Sequence, residues 1–330
     1  MITMGYYEEN SNKIFKKYTN NELLKDIDNY IYGKGKLNRV LNHFFEETIY
    51  ESKSIRGNLS PMEALHDEET MKKILDYIKT KPKFYVGDEI SNVKSFFRNG
   101  GKYACKVANF CPVNARDIYK ELIQLYGIKK EHYNVLDPSS GFGSRMSATI
   151  LMGNNYYGID PNTELCDRLN GLIDFYKTFG YLQGVANIYC CGSEKSIEEL
   201  SNSIDICFTS PPYFDLEIYC NESTQSISYG NYENWIRYYV KPTIENIKKY
   251  LVDGGVVAIN IKNMTYGKKY KLFDDWFKIF IDCGFSYVKT IEMSHQSKKN
   301  YYMNTTYSAE QYTGFKESIM VFKKTNGDIK

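Results

Sequence analysis

The sequence predicts an α/β protein: a mostly parallel, doubly wound sheet with one antiparallel strand, preceded by a helical amino-terminal appendage. Three observations predict it. From about residue 106 onward, short apolar runs alternate with helical stripes. Two of these runs end in unusual turns, Asp137-Pro138-Ser-Ser-Gly141-Phe142-Gly143 and Thr209-Ser210-Pro211-Pro212-Tyr213. Residues 1–105, in contrast, carry helix caps and stripes without strand alternation.

The appendage, 1–105, opens its helices with capping boxes. Thr19-Asn-Asn-Glu22 leads into Leu23, Leu24, Ile27 and Ile31 on one stripe. Ser60-Pro61-Met62-Glu63 places proline at the first helical position, ahead of Leu65, Ile74, Leu75 and Ile78. It holds no catalytic constellation, and either helical packing or nucleic-acid contact accounts for its charged faces.

The larger domain, 106–330, reads as strand and helix in turn. A helix at Asn114 to Tyr126 precedes strand Tyr133–Asp137, the glycine-containing turn and an apolar helix to Met152. Strand Tyr156–Asp160 is followed by a helix capped by Asn162, with Leu165, Leu169, Leu172 and Tyr176 on one face. Strand Asn187–Cys191 and a short helix near Ser196 come next. Ile204 to Thr209 is short and mostly apolar, as suits a central strand buried on both faces, and the two prolines stop it. A helix from Tyr232 to Leu251, kinked at Pro242, then leads to a turn at Asp253-Gly-Gly255. Strand Val256–Ile261, helix Leu272–Cys283 and strands Phe285–Ile291 and Ser318–Phe322 complete the domain.

Composition narrows the function. A net charge of +2 over 330 residues excludes a uniformly basic, histone-like binder and leaves room for a local basic face. No apolar stretch is long enough to span a bilayer, and the opening residues lack the blocks of a signal peptide, so a cytoplasmic protein without a membrane partner is expected. The eight cysteines form no Cys-x-x-Cys and are expected as reduced thiols; with four scattered histidines, no metal site is expected.

The chemistry lies in the turns. Gly141 and Gly143 follow a strand and open a helix, where backbone amides approach a ligand at the positive helix end. Asp160 ends the next strand, where such folds hold a carboxylate for ribose hydroxyls. A Gly-Lys-Ser/Thr phosphate loop is absent, and Met146 stands where a dinucleotide fingerprint wants its third glycine. Asp-Pro-Ser-Ser-Gly-Phe-Gly and Ser-Pro-Pro-Tyr, in that order, resemble the cofactor and catalytic motifs of the DNA amino-methyltransferases, the N4-cytosine and N6-adenine type. Phe110-Cys-Pro-Val-Asn-Ala-Arg116 resembles the segment that precedes them in that family.

The resemblance, over roughly 106 to 262, implies a Rossmann-like methyltransferase sheet and S-adenosyl-L-methionine as cofactor. It implies cofactor contacts at Phe110, Asp137, Pro138, Gly141, Phe142, Gly143, Asp160, Ser193 and Thr209, and catalytic roles for Ser210, Pro211, Pro212 and Tyr213. Cys191-Gly192-Ser193 departs from the pattern, since family members often carry an acidic residue there. It further implies direct methyl transfer to the exocyclic amine of a base flipped from double-stranded DNA. Serine at the first position favours cytosine N4 over adenine N6, and a restriction-system partner fits the family. RNA is the alternative substrate, and a non-catalytic nucleic-acid-binding protein of the same fold the alternative class. Target recognition is expected in the appendage, in Phe214 to Asn231 or in the insert Met293 to Phe315, with Lys262, Lys268, Lys269 and Lys271 as phosphate contacts.

Overall fold

The computed structural model describes residues 5–54, 57–99, 103–214, 217–218, 226–263, 270–293, 302–303 and 318–325. The chain forms two compact units, 1–109 with 215–225, and 110–214 with 226–330.

The first unit is helical: α1 Tyr6–Ile14, α2 Asn20–Ile31, α3 Asn38–Glu51, α4 Pro61–His66, α5 Glu68–Lys79 and α6 Glu89–Arg98. Both expected capping boxes form. Thr19 and Ser60 accept from the amides of Glu22 and Glu63, whose carboxylates accept from the cap amides in return. Phe15, Tyr50 and Phe97 pack edge to face at 5.1 and 5.6 Å in its core. A two-residue strand, β1 Lys53–Ser54, pairs antiparallel with β6 Glu217–Ile218. The division therefore differs from a single boundary after residue 105: the segment following Phe214 returns to the helical unit, because its backbone donors and acceptors are met there by β1.

The second unit carries the sheet. Its strands are β2 Asn134–Asp137, β3 Asn155–Asp160, β4 Ala186–Cys190, β5 Ile204–Thr209, β7 Leu251–Ile261, β8 Phe285–Met293, β9 Tyr302–Met303 and β10 Ser318–Lys324. Their order among the described residues is β4-β3-β2-β5-β7-β10-β8-β9. The first five run parallel. β10 runs antiparallel to both β7 and β8, and the short β9 antiparallel to β8. Strand order reverses beside β2, so the carboxyl ends of β2, β3, β4, β5 and β7 form one rim with a crevice at the switch point.

Helix α7, Pro112–Tyr126, covers one face, setting Ile118, Tyr119 and Leu122 against Val135, Ile206, Phe208, Val256 and Ala258. Each such apolar side chain contributes about 1.5–3 kcal/mol on burial. All six residues of β5 are buried, including the charged Asp205. Its carboxylate accepts from Tyr126 (2.8 Å), Lys130 (2.6 Å) and the Asn134 amide (2.9 Å), which offsets the desolvation. Helices α8 Ser144–Leu151 and α9 Thr163–Thr178 follow β2 and β3.

Two local expectations change. The helix after Asn231 is α10 Tyr232–Trp235, a π segment Ile236–Val240, then α11 Lys241–Tyr250. The wider π turn accommodates Pro242, which has no amide hydrogen to give. The expected turn at Asp253-Gly-Gly255 is instead a bulge inside β7, with Gly254 at φ +74°. Helix α12, Leu272–Asp282, precedes β8.

Candidate active site

The glycine turn is built from the inside. Asp137 ends β2 fully buried, and its carboxylate accepts from Arg145 Nε (2.8 Å), the Tyr156 hydroxyl (3.2 Å) and the Ser139 amide (3.3 Å). Arg145, in the first turn of α8, also donates through Nη2 to the Ser139 carbonyl. It therefore grips both the start of the turn and its backbone. Its guanidinium lies 5.9 and 6.0 Å from the rings of Phe110 and Phe208, which themselves meet edge to face at 5.5 Å. Burial pushes the Asp137 carboxyl pKa up, and the charge of Arg145 opposes that rise.

Gly141 and Gly143 have φ of +55° and +70°, the left-handed region that side chains resist. Asp160, at the end of β3, closes the turn from the other side. Its Oδ2 accepts from the Gly141 amide (2.9 Å) and its Oδ1 from the Asn162 amide (3.1 Å). Burial raises its pKa to about 6, against the pull of those two bonds. Close approach of the turn to β3 requires glycine at 158: a Cβ there would lie 2.4 Å from Ser140 Oγ and 2.6 Å from the Tyr156 ring.

At the end of β5, Thr209 is buried and Ser210 is half-buried, followed by Pro211, Pro212 and Tyr213. Phe214 then takes φ +53°, a costly conformation for a bulky residue. An aromatic nest holds it: its ring lies 5.5–5.8 Å from Tyr270, Tyr232 and Trp235. Tyr232 stacks on Tyr270 at 4.4 Å and donates to Asp275 (2.7 Å). The Ser210 hydroxyl meets Asn260 of β7, whose main-chain carbonyl accepts from it at 3.4 Å.

The amino-acid pattern of residues 204–328 matches a family model described as DNA methylase. Over these residues the chain is similar to the DNA methylase family. The Type II methyltransferase M.MjaVI of Methanocaldococcus jannaschii is 32% identical over 98 residues, covering 29% of this chain and 48% of that protein. The chain thus spans about half the length of the curated relative it matches. Among solved structures, a TehB-like SAM-dependent methyltransferase of Corynebacterium glutamicum superposes with TM-score 0.41 at 13% identity, over 64% of this chain and 88% of that one. A SAM-dependent methyltransferase of Methanosarcina mazei gives 0.42 at 11%, over 62% and 98%.

The strand ends bring Asp137, Gly141, Asp160 and Ser210 to the same rim. Phe110 packs beside them through Phe208 and Arg145. Ser193 takes a different place. Its Oγ lies 3.1 Å from Thr243 Oγ1 and donates to the Tyr239 hydroxyl at 3.4 Å, while its carbonyl accepts from Asn246. It docks the π segment and α11 onto the rim. Lys262 and Lys271 flank the segment holding Lys268 and Lys269, which lies outside the described residues, as do half of Phe214–Asn231 and most of Met293–Phe315. Among the described residues no helix is long and apolar enough to cross a membrane.

Sequence reasoning passed over Arg145, Phe214 and Asn260. Arg145 and Asn260 leave a signal: a charged residue in an apolar helix and an amide in the apolar run Val256 to Ile261. Phe214 leaves none, because its backbone conformation depends on tyrosines and a tryptophan that approach it only in the fold.

Proposed function

We propose that this protein transfers a methyl group from S-adenosylmethionine to the exocyclic amine of a base in DNA, with cytosine N4 favoured over adenine N6. The observation that carries the reading is the Ser210-Pro-Pro-Tyr213 corner at the end of β5, on the rim it shares with the Gly141–Asp160 turn. The family match over 204–328 supports DNA as substrate.

The residues present fit the cofactor. An added Cβ at Gly141 would find its nearest neighbour, the Ser139 carbonyl, only at 3.9 Å, so a ligand has room to reach the backbone there. Each Asp160 oxygen accepts one amide and keeps lone-pair capacity for a ribose hydroxyl. Pro138, Phe142, Gly143 and Thr209 shape the walls, and Asp137 acts through Arg145 by fixing the turn. S-adenosylmethionine, when bound, supplies an electrophilic sulfonium methyl.

The chain's own task is to make the amine nucleophilic and to aim it. An exocyclic base nitrogen has its lone pair delocalised into the ring. Ser210 Oγ and the Pro211 carbonyl accept its two hydrogens, which favours a pyramidal nitrogen with a usable lone pair. The prolines fix that geometry in advance, so positioning and electrostatics carry the catalysis. Tyr213 stacks on the base, a contact of about 1–3 kcal/mol, comparable with what flipping a base from the duplex costs. Type II in the name of the relative supports a place beside a restriction nuclease.

The test is methyl transfer from labelled S-adenosylmethionine to matched DNA and RNA, followed by nucleoside analysis. N4-methylcytosine in DNA is expected. N6-methyladenine would overturn the base assignment, product in RNA alone the choice of DNA, and no transfer the reading itself.

A further inference from the structure

The register of the two central strands brings an unassigned amide to the catalytic hydroxyl. β5 pairs with β7 so that Thr209 faces Ile259, and the next residues, Ser210 and Asn260, lie abreast. Asn260 is only 2% exposed. It shares a strand face with Val256 and Ala258, both packed in the core under α7, where a third apolar side chain would continue the stripe. An amide buried there needs a reason.

Its contacts supply one. Ser210 Oγ donates to the Asn260 main-chain carbonyl at 3.4 Å, and Asn260 Nδ2 donates to Ser210 Oγ at 3.3 Å. A hydroxyl has one hydrogen and two lone pairs. With the hydrogen turned inward and one lone pair engaged, a single acceptor position remains for a ligand. Turning the amide over gives the hydrogen a second inward acceptor, and Ser210 again faces a ligand with lone pairs only. Resting on the reading that Ser210 meets the target amine, we propose that Asn260 is a positioning residue whose side-chain amide holds the Ser210 hydroxyl in the rotamer that turns its hydrogen onto the β7 main chain, leaving Ser210 an acceptor only, so that the corner selects a base edge bearing an amine over one bearing a carbonyl. A carbonyl at that position would face an acceptor with no hydrogen between them, the arrangement by which a polar site rejects a near-isosteric ligand.

The experiment is a double-mutant cycle read by single-turnover methyl transfer, with S-adenosylmethionine affinity and melting temperature measured alongside. Asn260→Ala is expected to slow transfer ten- to a hundredfold while cofactor affinity stays within twofold. In a Ser210→Ala background the same change should alter the rate less than twofold, because Asn260 acts through the hydroxyl. A fully additive effect would make Asn260 a packing residue and overturn the proposal. Asn260→Ser, smaller and polar, replaces Ala if that variant does not fold, with the same expectations. A ligand-free crystal structure supplies a readout independent of activity. Ser210 should occupy one rotamer facing Asn260 in the wild type and more than one in Asn260→Ala; a wild-type hydroxyl turned away from Asn260 overturns the proposal. Absence of transfer by the wild type removes the functional reading and this inference together. Additivity in an active enzyme removes the inference alone.

Discussion

Around the glycine turn the charged groups are buried and multiply bonded, whereas the corner from Ser210 to Tyr213 carries no charge and the hydrogen bonds of its Ser210 hydroxyl are long. Asp137 takes three donors, the shortest at 2.8 Å, and Asp160 takes two backbone amides. Ser210 has contacts of 3.3 and 3.4 Å, and its neighbours are held by proline stiffness and by the aromatic nest around Phe214. The difference teaches how each half tolerates change. Electrostatics that shape a turn from inside belong to the stability of the domain. A corner set by backbone stereochemistry can lose a hydroxyl and keep its shape.

That contrast can be broken most forcefully at Arg145. Arg145→Met leaves the Asp137 carboxylate buried without its cation, and breaking such a pair costs about 3–5 kcal/mol. Urea unfolding should show that loss, and a loss below about 1 kcal/mol would mean the turn is not held by this ion pair.

Asp160 sharpens the comparison through pH. Its folded pKa of about 6 lies above the ordinary carboxylate value of roughly 3.9. Between those values the unfolded chain releases a proton that the folded one keeps, so this group's contribution to stability falls as pH rises through that window, then levels off above it. The total is about 2–3 kcal/mol. Subtracting the pH profile of Asp160→Asn from that of the wild type should isolate this fall. Cofactor affinity has the opposite sense: ribose hydroxyls prefer the ionised carboxylate, so wild-type affinity should drop as pH falls below about 6 and that of Asp160→Asn should not. Parallel profiles would remove Asp160 from the cofactor site.

The smallest expected change tests the packing behind the turn. Gly158→Ala sets a methyl 2.4 Å from Ser140 Oγ, and overpacking of that kind costs about 1–3 kcal/mol. A melting temperature equal to wild type would show that the turn is free to retreat from β3.

What could be foreseen from the amino acids is local. The Thr19 and Ser60 capping boxes, the run Ile204 to Thr209 and the glycines after Asp137 state their structure within a few residues. The resemblance implies a cofactor contact at Ser193, and the hydroxyl of that residue meets Thr243 and Tyr239, partners about fifty residues away. Asn260 is equally far from Ser210, and only the β5–β7 register makes them neighbours. The return of the segment after Phe214 to β1 spans an even longer separation. Periodicity and capping chemistry carry no information about such distant pairings.

The central claim is that Ser210 activates the target amine while the glycine turn holds the cofactor independently of it. Single-turnover transfer of labelled methyl groups by Ser210→Ala, with calorimetric titration of S-adenosylmethionine, tests it most directly. The account predicts a rate about 10²–10³-fold below wild type, the scale of losing one preorganised hydrogen-bonding group, with cofactor affinity unchanged. Transfer at the wild-type rate would contradict it.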